Sequence, residues 1–126
     1  MKKILVVEDD PSVRNLLREI FERAGYEVAD AAHGRAALDL LGAAELPDIV
    51  TTDLMMPVMD GNELIRKMRD DSRTASIPIV VVSANADAVE GDRASERANG
   101  LVTKPFVAAN LVRLVQSLHE TTRSRV

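Results

Sequence analysis

The sequence predicts a three-layer α/β domain, with a five-stranded parallel sheet covered by helices on both faces. Three observations carry that prediction. Short runs of consecutive apolar, β-branched residues recur along the chain, as at 4–7 and 77–83, and uninterrupted apolar strands belong to sheets buried on both sides. Segments with apolar residues at helical spacing separate these runs, and strand–helix alternation repeated about five times is the pattern of a parallel sheet with crossover helices. At 126 residues the chain has the size of one domain, and it can bury roughly two-thirds of its unfolded surface without a covalent staple.

The first strand is read at 4–7 (ILVV). The period then changes: Val13, Leu16, Leu17, Ile20, Phe21 and Ala24 fall at helical spacing, with Asp10 as N-cap, Pro11 at the first helical position and Gly25 as the stop. Residues 26–31 form a weaker second strand, and 35–46 a helix with Ala36, Ala37, Leu40, Leu41 and Ala44 on its apolar face, ended by Pro47. The third strand is 48–53 (DIVTTD); after it LMMPVMDG is a loop carrying an Asp60–Gly61 turn, and Leu64, Ile65 and Met68 mark the third helix. The run 77–83 (IPIVVVS) is the strongest strand signal, 101–103 a short fifth strand, and 107–118 a last helix with Leu111, Leu114, Val115 and Leu118 inward. A fourth helix is expected within 86–99 (ADAVEGDRASERAN), short or partly irregular because Gly91 and many charges weaken it. The domain spans 1–120, and 121–126 is a polar tail with Arg123 to Arg125 disordered.

Composition narrows the function. The net charge of −4, from 16 basic and 20 acidic residues, argues against direct nucleic-acid binding, which needs a strongly basic face. Three aromatics (Phe21, Tyr26, Phe106) are too few for a base-stacking platform. The absence of cysteine removes disulfides and thiolate metal sites. No run approaches the roughly 20 apolar residues of a membrane span, and the start is too short for a signal-peptide core, so a soluble, cytoplasmic protein with no membrane insertion is expected.

Ligands of open parallel α/β sheets bind beyond the carboxyl ends of the strands. There the sequence sets Glu8, Asp9 and Asp10 after the first strand, Asp53 after the third, Ser83 and Ala84 after the fourth and Lys104–Pro105 after the fifth. Neighbouring strands lie about 4.8 Å apart, so these groups converge. Three carboxylates in one pocket repel, and a hard cation such as Mg²⁺ relieves that repulsion. Asp53 is then a candidate nucleophile forming an acyl phosphate, with Ser83 and Lys104 holding the phosphoryl oxygens.

The motifs LVVEDD, DLMMPVMDG, VVVSA and TKPF, in that order and spacing, resemble the receiver domain of bacterial two-component response regulators, in its chemotaxis-regulator-like form, from Lys2 to about Leu118. The resemblance implies a flavodoxin-like (βα)5 fold. It implies Asp53 as phosphoacceptor and a metal site of Glu8 (through water), Asp9, Asp53 and the Met55 backbone carbonyl, filled by Mg²⁺ or alternatively Mn²⁺. Ser83, Ala84 and Lys104 are implied to bind the phosphoryl group and switch, with Lys104–Pro105 a candidate cis peptide. The implied partners are a histidine kinase or histidine phosphotransfer protein, and a downstream protein reading the face of the fourth helix, fifth strand and last helix. The resemblance thus implies a signalling switch rather than an enzyme, standing alone, relaying phosphoryl groups or drawn from a larger protein.

Three departures from the family pattern matter. Leu101 stands where an aromatic switch residue is common, three positions before Lys104. The interval from Ser83 to Lys104 is about one residue short. Met55 and Asn85 occupy the positions that tune phosphoryl lifetime, and an apolar Met55 does not activate water, so self-dephosphorylation is expected to be slow.

Plainer readings hold elsewhere. Asp10 is a helix cap rather than a metal ligand. Met55, Met56 and Met59 pack a loop, His33 and His119 are exposed and idle, and Asp70–Asp71 is a solvated helix end. Three rival functions remain. A Mg²⁺-dependent aspartyl phosphatase wants a second acid two residues after the nucleophile, where Met55 stands. A flavin or nucleotide binder wants a glycine- or hydroxyl-rich loop, where EDDP stands. A never-phosphorylated docking module has no need of the full set of acceptor, acids, hydroxyl and lysine.

Overall fold

The first strand, β1 (Lys3–Val7), is paired on both sides and leads directly into the acidic stretch. The computed structural model describes residues 2–43, 45–84 and 98–124. Among these, the order along the chain is β1, α1 (Pro11–Arg23), β2 (Glu27–Ala31), α2 (Gly34–Ala43), β3 (Ile49–Thr52), α3 (Gly61–Asp70), β4 (Ile79–Ser83), β5 (Gly100–Thr103) and α4 (Ala108–Ser124). All strand pairs are parallel, in the order β2-β1-β3-β4-β5. Of the segment 86–99, where a fourth helix is expected, residues 86–97 lie outside the described residues, as do the lifetime position Asn85 and the side chain of His119, while Ala98 and Asn99 form a bend before β5.

Side chains alternate across the strands, so the sheet separates two apolar clusters. Leu5, Val7, Val50, Ile79 and Val81 face α2 and α3, meeting Ala37, Leu41, Leu64, Ile65 and Met68. Ile4, Val6, Ile49, Val80 and Val82 face α1 and α4, meeting Leu17, Phe21, Leu111 and Val115. The three-layer prediction holds, and Phe21 adds an edge-to-face contact with Tyr26 at 5.8 Å between ring centres. Leu16, counted among the apolar positions, instead faces outward.

Element ends shift where proline intervenes. β4 begins at Ile79 rather than 77, because Pro78 has no N–H to donate and only its carbonyl pairs, with the Val50 amide. α2 stops at Ala43 rather than 46, since Pro47 disfavours helical backbone at the residue before it. α4 runs to Ser124 rather than 118, so the helix continues through 121–124 of the polar tail, including Arg123, where disorder is expected from the sequence. Asp10 caps α1 by accepting from the Ser12 and Val13 amides, and Gly25 follows at φ 95°, a left-handed conformation open to glycine. His33 is not idle: its Nδ1 accepts from the Ala36 amide at 3.1 Å and caps α2. The Lys104–Pro105 peptide is cis. Among the described residues, no helix is long and apolar enough to cross a membrane.

Candidate functional site

Backbone pairing delivers the acidic groups. The Glu8 amide donates to the Ala31 carbonyl at 3.0 Å and the Asp53 amide to the Val7 carbonyl at 3.1 Å, so the ladder continues one residue beyond each strand. Glu8 and Asp53 are thereby buried, at 1% and 8% exposure, while Asp9 points outward. Such buried acids are rare unless paired. Carboxylate oxygens of Glu8, Asp9 and Asp53 all lie within 4.8 Å of one another.

Asp53 is held from three directions. Its Oδ1 accepts from the Leu54 amide at 2.7 Å and the Met55 amide at 3.2 Å, and its Oδ2 accepts from Lys104 Nζ at 2.9 Å. Its own carbonyl accepts from the buried Thr52 hydroxyl at 2.8 Å. Lys104 also donates to Glu8 Oε1, so one ammonium bridges the two acids. The Lys104 amide donates to the Ser83 carbonyl at 2.9 Å, which puts the buried Ser83 and the lysine at one corner.

Burial pushes the Glu8 carboxyl up to about 7, with the Asp53 charge adding to the rise and the Lys104 hydrogen bond opposing it. Burial also works against the Lys104 charge, yet hydrogen bonds to Glu8 and Asp53 outweigh it and hold the lysine above its ordinary value. Glu8 Oε2 is buried with no hydrogen-bond partner among the described residues. An orphaned carboxylate oxygen next to two further acids is a set of hard donors, and Mg²⁺ accepts that chemistry.

The structure therefore gathers Glu8, Asp9, Asp53, Ser83 and Lys104 at the strand tips, with Ala84 exposed beside Ser83. Met55 is 64% exposed on the loop after Asp53, and Leu101 is 44% exposed on β5. Asp10 is turned to its helix.

Four contributors escaped the sequence reading. Arg14 donates to the Glu8 carbonyl at 2.9 Å. Thr52 fixes the Asp53 backbone. Gly61 stands so close to Asp53 that a Cβ there would meet the Asp53 carbonyl oxygen at 2.1 Å, while its amide bonds to Leu54 at 2.9 Å. The Asp60–Gly61 dipeptide signalled a turn, and the close approach is its further reason. Val58, at φ 68°, is a β-branched residue in the left-handed region, spanned by a Met59 N–H to Pro57 carbonyl bond of 2.7 Å.

Comparison with known proteins gives this arrangement a setting. Residues 4–116 match the family model described as response regulator receiver domain. The chain is 39% identical to the sensor histidine kinase TmoS of Ectopseudomonas mendocina, over 92% of this chain and 12% of that protein. It is 36% identical to the chemotaxis protein CheY1 of Helicobacter pylori, over 82% of this chain and 86% of that one. Several other curated relatives are about twice its length, the chain spanning 51% of two of them. Among solved structures, the response regulator TrrA of Thermotoga maritima, in complex with Mg²⁺ and BeF, superposes with a TM-score of 0.85 at 32% identity, covering 94% of this chain and 99% of that one. A family match across nearly the whole sequence, on a fold that collects the matched motifs at one end of one sheet, leads to a single assignment: the chain belongs to the response regulator receiver domains.

Proposed function

We propose that this receiver domain takes a phosphoryl group onto Asp53 and passes the change to a protein partner. One observation carries the reading: Lys104 joins Asp53 and Glu8 in a single buried cluster whose Glu8 Oε2 lacks a partner among the described residues. Such a cluster is short of positive charge, and a divalent cation supplies charge neutralisation there. Glu8, Asp9, Asp53 and the Met55 backbone would hold it, Mg²⁺ or alternatively Mn²⁺.

A carboxylate oxygen of Asp53 forms the new P–O bond as the donor's P–N bond breaks, the electron pair staying on the donor histidine nitrogen. The donor is a histidine kinase or histidine phosphotransfer protein. Lys104 neutralises the phosphoryl oxygens, and the Ser83 hydroxyl with the Ala84 backbone receives one by hydrogen bonding. Both sit at β4 and β5 ends, so their inward movement alters the face of β5 and α4, where Leu101 and Val107 are exposed. Leu101 gives that face no aromatic rotamer to flip. Exposed, apolar Met55 orders no attacking water, and slow self-dephosphorylation follows; loss of the adduct within minutes in purified protein with Mg²⁺ would contradict this.

Incubation with Mg²⁺ and acetyl phosphate, followed by intact-mass measurement, tests the assignment. The wild type is expected to gain one phosphoryl group and Asp53→Asn none. An adduct that survives Asp53→Asn, or no adduct at all, would end it.

A further inference from the structure

At the end of the sheet opposite the site, a polar cluster fixes where β5 begins. Asn99 bonds to Ile79 twice, its amide donating to the Ile79 carbonyl at 2.7 Å and its Oδ1 accepting from the Ile79 amide at 2.9 Å. The same Oδ1 accepts from Arg69 Nη2 at 2.9 Å. Arg69 Nη1 in turn donates to the carbonyls of Ala75 and Ile77, at 3.0 and 2.8 Å. One side chain from the end of α3 thus grips the entry to β4 and, through Asn99, the entry to β5.

We infer that Arg69 and Asn99 are positioning residues that set the register of β5 and thereby place Lys104. Among the described residues β5 has one partner, β4, and it has only four residues, alternately half-buried and exposed. Its register is Val80 to Gly100 through Ser83 to Thr103, and the Lys104 amide bonds to Ser83 immediately beyond. A strand rises about 3.3 Å per residue, so the clasp acts on Lys104 from about 16 Å away along one short rod. Packing guards this register weakly. Gly100 offers no side chain, although it lies tight against Leu114, a Cβ there meeting Leu114 Cδ2 at 3.1 Å. A slip of one residue would turn every β5 side chain to the opposite face and carry Lys104 off Asp53 and Glu8. The two hydrogen bonds of Asn99 to a single residue of β4 are specific to one register. The carboxylates of Glu8, Asp9 and Asp53 follow β1 and β3, strands that neither Arg69 nor Asn99 bonds to.

This inference rests on the phosphoacceptor reading for its activity readout, though not for its structural one. Four proteins separate the two: wild type, Asn99→Ala, Asn99→Asp and, as a control destabilised under α2, Leu41→Val. In Asn99→Ala, hydrogen exchange at the Lys104 amide is expected to quicken at least about tenfold, by local opening of β5. Phosphoryl uptake from acetyl phosphate should fall about tenfold, since small misplacements of a reacting group carry penalties of that order. Mg²⁺ should bind no more weakly than in wild type, because the acidic groups are not displaced and lose a competing ammonium. Asn99→Asp keeps the acceptor oxygen for both Ile79 and Arg69 and is expected to restore exchange and uptake, while Leu41→Val changes neither selectively. Wild-type exchange at Lys104 in Asn99→Ala overturns the inference, as does wild-type uptake by that variant. If wild type itself takes up no phosphoryl group, the phosphoacceptor reading falls and the Lys104 amide alone decides the clasp.

Discussion

The two halves of the site are built differently. The acidic half stands on β1 and β3, adjacent strands paired on both sides; β3 is buried throughout, and β1 is buried in four of its five residues. The basic half stands on β5, an edge strand whose alternate residues are exposed. The crowded acidic charge is fixed by the core, whereas the ammonium of Lys104 that joins those acids sits where the sheet is less constrained. Local stability follows burial and the pairing of backbone groups, so movement is expected on the β5 side.

The most severe way to break this contrast is to remove the group that joins the halves. Lys104→Ala leaves Glu8 and Asp53 facing each other in a buried pocket without their ammonium, and breaking a buried pair from one side costs several kcal/mol. A loss of about 3 kcal/mol in denaturant midpoints measured with a chelator is expected, with added Mg²⁺ returning part of it. An unchanged midpoint would mean the halves are energetically independent. Gly61→Ala attacks the acidic half alone: the new Cβ would clash with the Asp53 carbonyl, and overpacking of that kind costs about 2 kcal/mol. Phosphoryl uptake should fall with it, as Asp53 is pushed from its amides.

A gentler probe is pH. The folded Glu8 lies near 7, above its ordinary 4.5, so its proton favours the folded state at low pH, and that contribution is lost as pH rises through 7. A cation competes with the same proton. Apparent Mg²⁺ affinity should therefore rise about tenfold between pH 6 and pH 8, read by fluorescence or calorimetric titration. Glu8→Gln should flatten that dependence. The smallest effect is expected at Thr51, 1% exposed on β3, whose Oγ1 has no hydrogen-bond partner among the described residues. Thr51→Val should stabilise the protein by up to about 1 kcal/mol, since an unsatisfied buried hydroxyl is replaced by a methyl of similar shape. Destabilisation would reveal that the hydroxyl is used.

The same contrast explains what could be read from the sequence. Continuous apolar runs announced β1 and β4, and the acids that follow β1 and β3 fall at the site because strand tips converge. The ion pairs of Lys104 depend on the register of a four-residue edge strand, which periodicity does not specify. His33 looks idle in one dimension, and Asn99 reads only as the end of a helical segment, because their partners are brought to them by folding. Thr52 and Gly61 matter through distances of one residue's width, below what spacing can express.

The partition of the interior has a consequence of its own. Aliphatic and methionine side chains fill the space under α2 and α3, while the aromatic pair Phe21–Tyr26 lies under α1 and α4, and the sheet keeps the clusters apart. Substitutions in separate compartments tend to sum rather than interfere. Lineages could therefore remodel the half beneath α1 and α4 to suit new protein contacts while drawing their tolerance for change from the other half.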